Sequence, residues 1–313
     1  MLLKQVMEIY DVVDRPDASG ENVKKIFTGR GWDLVSVTKI TGENGTTDFI
    51  KVIIPGKKGK INGGKAPTAG IIGRLGGLGA RPEVIGYVSD GDGALAALSA
   101  ALKLVDMNLA GDVLDGDIIV TTHICPDAPT QEHYPVAFMN SPVDMDQMNE
   151  FEVLEDMDAV LTIDTTKGNE VINHKGISIS PTVKEGYILP VSYDLLQIVK
   201  RVTGVKPNVF ALSIQDITPY SNDLHHLNSI LQPAVKSNSP VVGVAITTEE
   251  PVAGCATGAS HVMDVEMAAR FSVEAVKDYT SNKCSLYDKE NYKRLVELYG
   301  DCRRFQTNGI NNN

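Results

Sequence analysis

The residues of this 313-residue chain with chemical potential sit in loops that follow apolar runs. Asp90 and Asp92 stand one residue apart in VSDGDG, His123, Cys125 and Asp127 in THICPD, Asp164 in TIDTTKG, and His261 in GASHVMD. Carboxylates and imidazoles gathered at one edge make a zinc- or manganese-type site, whereas calcium or magnesium would draw on oxygen alone. The expected metal ligands are Asp90, His123, Asp164 and His261. Together they would hold one or two divalent ions that polarise a carbonyl and acidify a bound water. Proton transfer would then fall to Asp127, Asp92 or Glu249, the last with Glu250 beside it.

Each of these residues also has a plainer reading. Asp92 before Gly93 suits a helix start, where the dipole favours negative charge. Asp164 before two threonines suits an Asx-turn. His123 reads equally as a strand-end histidine bonded to a backbone carbonyl, and Ser260 next to His261 as an ordinary cap. Cys125, followed by Pro126, reads as a small buried side chain. A nucleophilic role, or an acid–base role shared with Cys255, would need a depressed thiol pKa. His225 and His226 alternate sides, so at most one of them faces inward.

The elements that must place these groups follow from periodicity. Residues 2–13 have a helical apolar stripe, and Ser19 starts a second helix. DLVSVTKITGENGTTDFIKVIIPG alternates as two strands joined around Gly42–Gly45. Residues 57–80 read as a glycine-rich loop and EVIGYVSD as a strand. Apolar runs at Ile118–Val120, Ala159–Ile163 and Val241–Ile246 suit strands buried on both faces. Helical patterns at 93–107, 191–202, 224–235 and 264–278 lie between or after them. The alternation predicts a three-layer α/β fold, a mostly parallel central sheet with helices on both faces. One domain over residues 1–313 is expected, with a frayed tail at 306–313. In such sheets the strand carboxyl ends collect at one edge, so residues remote in sequence would meet there.

GKINGGK, residues 59–65, fits G-x-x-x-x-G-K, but Ala66 stands where a magnesium-binding Ser or Thr belongs and no strand directly precedes it. Lys57, Lys58, Lys60, Lys65 and Arg74 would line a pocket for an anionic substrate or belong to a solvated loop. FMNSPVDMDQMNE, rich in methionine, suits an adaptable contact between subunits of a homo-oligomer, or core packing.

Composition excludes some classes. Lys+Arg of 29 against Asp+Glu of 40 gives a net charge of -11, which argues against a nucleic-acid surface. No stretch approaches the ~20 apolar residues of a membrane span. Four cysteines without CxxC spacing, and no secretory leader, point to reduced thiols in the cytoplasm.

Several stretches resemble the co-catalytic metallopeptidases of the zinc exopeptidase fold. PDASGENVKKIFTGRG is similar to their opening helix, and VSDGDGALAALSAALKL to their Ser-Asp-x-x-Gly turn and the Ala-rich helix after it. AVLTIDTTKGNEVINHKG and GVAITTEEPVAGCATGASHVMDVEMAARF resemble the strands leading to later ligands. The resemblance runs in order over residues 10–280. It implies that Asp90 is the bridging metal aspartate, Asp164 the next acidic ligand and His261 the metal histidine. The chain departs from the pattern at Pro55-Gly56-Lys57, where DFIKVIIPG should end in His-x-Asp, and at Thr122-His123-Ile124, where a Glu pair is expected. MDAVLTIDTTKGN, QDITPYSND and CATGASH are identified more closely with domain-of-unknown-function family 1177. The resemblance implies a metal-dependent hydrolase acting on amide bonds of small peptides or acylated amino acids. The departures point to the alternative, a non-catalytic small-ligand-binding or interaction protein on the same fold. A lyase or racemase using Cys125 and Cys255 is a third possibility.

Overall fold

The computed structural model describes residues 1–42, 45–74, 76–78 and 86–309. Its helices are α1 (Leu3–Val13), α2 (Gly20–Thr28), α3 (Asp92–Leu109), α4 (Met145–Glu152), α5 (Tyr193–Thr203), α6 (Pro233–Lys236), α7 (Val262–Thr280) and α8 (Lys289–Tyr299). The strands are β1 (Val35–Gly42), β2 (Gly45–Ile54), β3 (Ala69–Gly73), β4 (Ile118–Ile124), β5 (Thr130–Gln131), β6 (Phe138–Met139), β7 (Ala159–Thr166), β8 (Gly176–Ile179), β9 (Val183–Lys184), β10 (Tyr187–Ile188), β11 (Asn208–Val209) and β12 (Val241–Thr247).

The main sheet runs β1-β2-β4-β3-β7-β12-β8-β11. Its centre, β4-β3-β7-β12, is parallel, while β1–β2, β2–β4 and β12–β8 are antiparallel. Side chains alternate faces with the strand period of two. On β7, Ala159, Leu161 and Ile163 join the larger core while Val160 joins the other; Ile71 and Ile72 of β3 divide the same way. The larger core packs beneath α1, α3, α5 and α7, and the opposite core includes Ala234 of α6. This is the expected three-layer α/β arrangement. Local signals hold as well. The Ser19 hydroxyl accepts from the Asn22 N–H to cap α2, and Gly204, at φ 74°, ends α5. Among the described residues, no helix is long and apolar enough to cross a membrane.

Four departures follow. Ala69–Gly73, inside the stretch read as a glycine loop, is a fully buried central strand. Its glycines serve close packing: a Cβ on Gly73 would lie 2.6 Å from the Gly93 carbonyl oxygen of α3. Because β2 is antiparallel to β4, Pro55-Gly56-Lys57 lies at the opposite end of the sheet from the His123 end of β4. The strand that ends beside His123 is β3, and it is followed by Arg74. Residues 224–235 form helix only at Pro233–Lys236. Leu224 and Leu227 are exposed, and the Leu227 N–H donates to Asp216 Oδ1. Finally, α8 was not among the expected helices, although Tyr292, Leu295, Val296 and Tyr299 stand at helical spacing; none of its residues is buried. Of the expected strand EVIGYVSD, residues 83–85 lie outside the described residues, as do 310–313 of the tail; Tyr87 and Val88 are buried but not in a strand.

Asp92 does not cap α3 with its side chain; Gly91 is the cap and Asp92 the first helical residue. Three lysines of the glycine-rich stretch pair with acids instead of lining a pocket for an anion. Lys57 and Lys58 pair with Asp115, at 2.9 and 3.4 Å, and Lys60 with Asp158 at 2.7 Å. The GKINGGK loop already cradles a carboxylate, since Asp117 accepts from the Gly56 and Ile61 N–H groups. The methionine-rich segment turns inward, with Val143 and Met148 packed against Phe49.

Candidate functional site

Parallel strands β4, β3 and β7 finish side by side, and a pocket of ≈ 890 Å³ opens at that edge. His123 from the end of β4, Asp164 from β7, Asp90 from the turn before α3, and Gly76 and Gly77 after β3 form its base. The segment from Ala128 to Met148 forms one wall, and Tyr220 to Ser229 another. The topology therefore brings together Asp90, His123 and Asp164, as expected. His261, the cap residue of α7, is exposed and is not among the lining residues. Asp127, Glu249 and Glu250 are exposed, and Asp92 lies buried outside the pocket.

Asp90 is 2% exposed and faces a cation, Lys167, whose Nζ stands 2.5 Å from Oδ1. The other oxygen accepts from the Met139 N–H at 3.1 Å. Lys167 is itself held over the Phe138 ring, 4.4 Å from its centroid. Gly254 seals the pair: a Cβ there would fall 2.2 Å from Lys167 Cε and 2.5 Å from Asp90 Oδ1. The turn is tied down further by the Thr165 hydroxyl, which donates to the Ser89 carbonyl at 2.7 Å.

A second buried assembly backs His123. Its Nδ1 lies 2.5 Å from Glu152 Oε1, and Glu152 Oε2 lies 2.6 Å from Arg74 Nε as an ion contact rather than an aligned hydrogen bond. Arg74 also donates to Asn149 Oδ1 and reaches Met145 Sδ. His123, Glu152 and Arg74 are each no more than 1% exposed.

Asp164 has the opposite balance. Burial pushes its carboxyl up to about 7, against the Ser229 hydroxyl donating to Oδ2 at 2.8 Å and the nearby Lys167; Asp90 adds to the rise. Oδ1 accepts from the N–H of the next residue, Thr165, at 2.7 Å, rather than from Thr166 as the expected Asx-turn would require. Asp92 is pushed up to about 8, first by burial, against hydroxyls of Ser260 and Tyr87, with Asp90 and Asp264 adding to the rise. Burial raises the Cys125 thiol to about 12, its contact with Thr47 notwithstanding, which leaves it a poor nucleophile near neutrality.

The fit to a divalent ion is poor. Metal ligands must present unshared lone pairs to one point. Here Asp90 is taken by Lys167, the carboxylate behind His123 by Arg74, and Asp164 by Ser229 and Thr165. Among the described residues, no three of His, Cys, Asp and Glu are arranged to hold a metal ion. Lys167, Arg74, Glu152 and Ser229 escaped the sequence reading as partners of these groups. Lys167 alone left a signal there, three residues after Asp164 in TIDTTKG.

The family model described as protein of unknown function (DUF1177) matches residues 38–309. No curated protein matches the chain in sequence. Solved structures similar to it include the bottromycin maturation enzyme BotP, at 14% identity and TM-score 0.49, covering 87% of this chain and 69% of that one. A glutaminyl cyclase from an Acidobacteriales bacterium has 13% identity and TM-score 0.49, covering 90% and 94%. BotP in complex with Mn has 12% identity and TM-score 0.48, covering 86% and 70%. With the family match extending over most of its length, the chain belongs to the family described as protein of unknown function (DUF1177).

Proposed function

We propose that the protein binds a small amide-bearing molecule, an acylated amino acid or short peptide, in this pocket without a resident divalent ion. The observation that carries the reading is the buried Asp90–Lys167 pair, which supplies a tethered cation at the acid where an ion would sit. A divalent ion brought to about 4 Å from that ammonium would be repelled by roughly 4 kcal/mol per unit charge at an effective dielectric of 20. Phe138 and Met139 offer apolar surface, while the Asn169 amide nitrogen and the Ser229 hydroxyl oxygen offer hydrogen-bonding groups. A ligand with an apolar body and a polar end suits that division. The four free thiols suit a reducing cytoplasm.

A metal-dependent hydrolase is the second reading, favoured by the convergence of Asp90, His123 and Asp164 on one pocket. It requires Lys167 to leave Asp90, His261 to move in, and Asp127, Asp92 or Glu249 to act as base. Calorimetric titration with acylated amino acids and dipeptides, with and without a chelator, separates the two. The first reading expects saturable binding that the chelator leaves unchanged. Binding that the chelator abolishes, or turnover that the chelator abolishes, would replace it with the second.

A further inference from the structure

We propose that His123 is a proton-transfer residue acting on the ligand of this pocket, with Glu152 as its positioning carboxylate. The inference rests on the reading that the pocket takes an acyl or amide ligand. Glu152 faces the Arg74 guanidinium with one oxygen and the imidazole with the other, and a carboxylate accepts only, so in the 2.5 Å contact His123 Nδ1–H donates to Oε1. The imidazole is thereby fixed in the tautomer whose Nε2 carries a lone pair. Among the described residues, no hydrogen bond occupies Nε2, although the ring borders the pocket. A purely structural buried histidine would satisfy both nitrogens. Phe49, with its ring centroid 5.5 Å away, and the Arg74 contacts to Asn149 and Met145 keep the assembly from turning. This is a carboxylate–imidazole dyad with one nitrogen held and the other available.

The step it supports is acyl hydrolysis. Nε2 takes a proton from water as the water oxygen bonds to the carbonyl carbon. The bond to the leaving nitrogen or oxygen then breaks, its electron pair stays with that atom, and the proton passes to it from Nε2. One water is consumed and no oxidant or reductant is needed.

The test uses the full chain in chelator with p-nitrophenyl acetate as probe. His123→Ala should lower the hydrolysis rate on the order of 100-fold, the scale of a lost general base, and added imidazole should restore much of the loss. His174→Gln, a change at an exposed histidine outside the pocket, should retain the wild-type rate. The far-downfield Nδ1 proton resonance should be present in the wild type and absent in His123→Ala and Glu152→Gln. Should Glu152→Gln fail to fold, the wild-type resonance and the imidazole rescue decide alone. An unchanged rate in His123→Ala, equal stimulation of wild type and variant by imidazole, or no downfield resonance in the wild type would each overturn the proposal. Calorimetric binding of acylated amino acids without His123-dependent hydrolysis overturns the proposal and leaves the ligand reading standing. His123-dependent hydrolysis without such binding does the reverse.

Discussion

Replacing Asp92 with asparagine should flatten the pH dependence of stability. Asp92 is 2% exposed, and its carboxyl is raised from 3.8 to about 8, chiefly by burial and in spite of the hydrogen bond from the Ser260 hydroxyl and the nearby Tyr87 hydroxyl. The folded value lies above the unfolded one, so the folded protein keeps a proton that the unfolded chain releases. Stability therefore falls as pH rises from about 4 to about 8 and levels off above that. The slope approaches one proton, or about 1.4 kcal/mol per pH unit. Between pH 5 and 8 the wild type should lose on the order of 3 kcal/mol relative to Asp92→Asn. Asparagine keeps the size and an oxygen for the Ser260 hydroxyl while removing the titration. Asp164, raised to about 7, tilts both proteins alike and largely cancels in the difference. Urea unfolding at pH 5, 6, 7 and 8 measures that difference. Parallel curves for the two proteins would mean that Asp92 does not hold its proton in the folded state.

Arg74→Met should cost about 3–5 kcal/mol in urea unfolding, because it leaves Glu152 buried beside His123 without its cation, and Arg74→Met with Glu152→Leu should recover much of the loss. Asp117→Asn should cost about 1–3 kcal/mol, since one amide cannot replace the carboxylate that accepts from the Gly56 and Ile61 N–H groups; thermal unfolding reads this. Cys125, buried and raised to about 12, should resist iodoacetamide in native protein at pH 8 while half-buried Cys255 is modified first, as peptide mass mapping would show. Fast alkylation at Cys125 would return the cysteine acid–base reading to consideration.

The sheet was legible because its buried strands are short β-branched runs, and the gathering of Asp90, His123 and Asp164 followed from parallel strands sharing an end. β3 was not legible, because AGIIG sits among glycines that look, in sequence, like loop residues, whereas Gly73 admits α3, Gly70 admits Met157 and Gly76 admits the His123 backbone. The partners of the site were hidden for a different reason. Ion pairing across |i−j| of 77 for Asp90 and Lys167, or 78 for Arg74 and Glu152, leaves no periodic trace. Without those cations the acids read as vacant ligands. The false helix at 224–235 has a similar origin. Its apolar spacing is genuine, but Asp216 draws the backbone out of helical pairing.

If Lys167 and Arg74 neutralise Asp90 and Glu152 in place of a divalent ion, elemental analysis of protein purified without chelator and equilibrated with zinc or manganese should find far less than one equivalent of metal per chain. One or two equivalents per chain, lost in Asp90→Ala, would mean that an ion displaces Lys167 from Asp90.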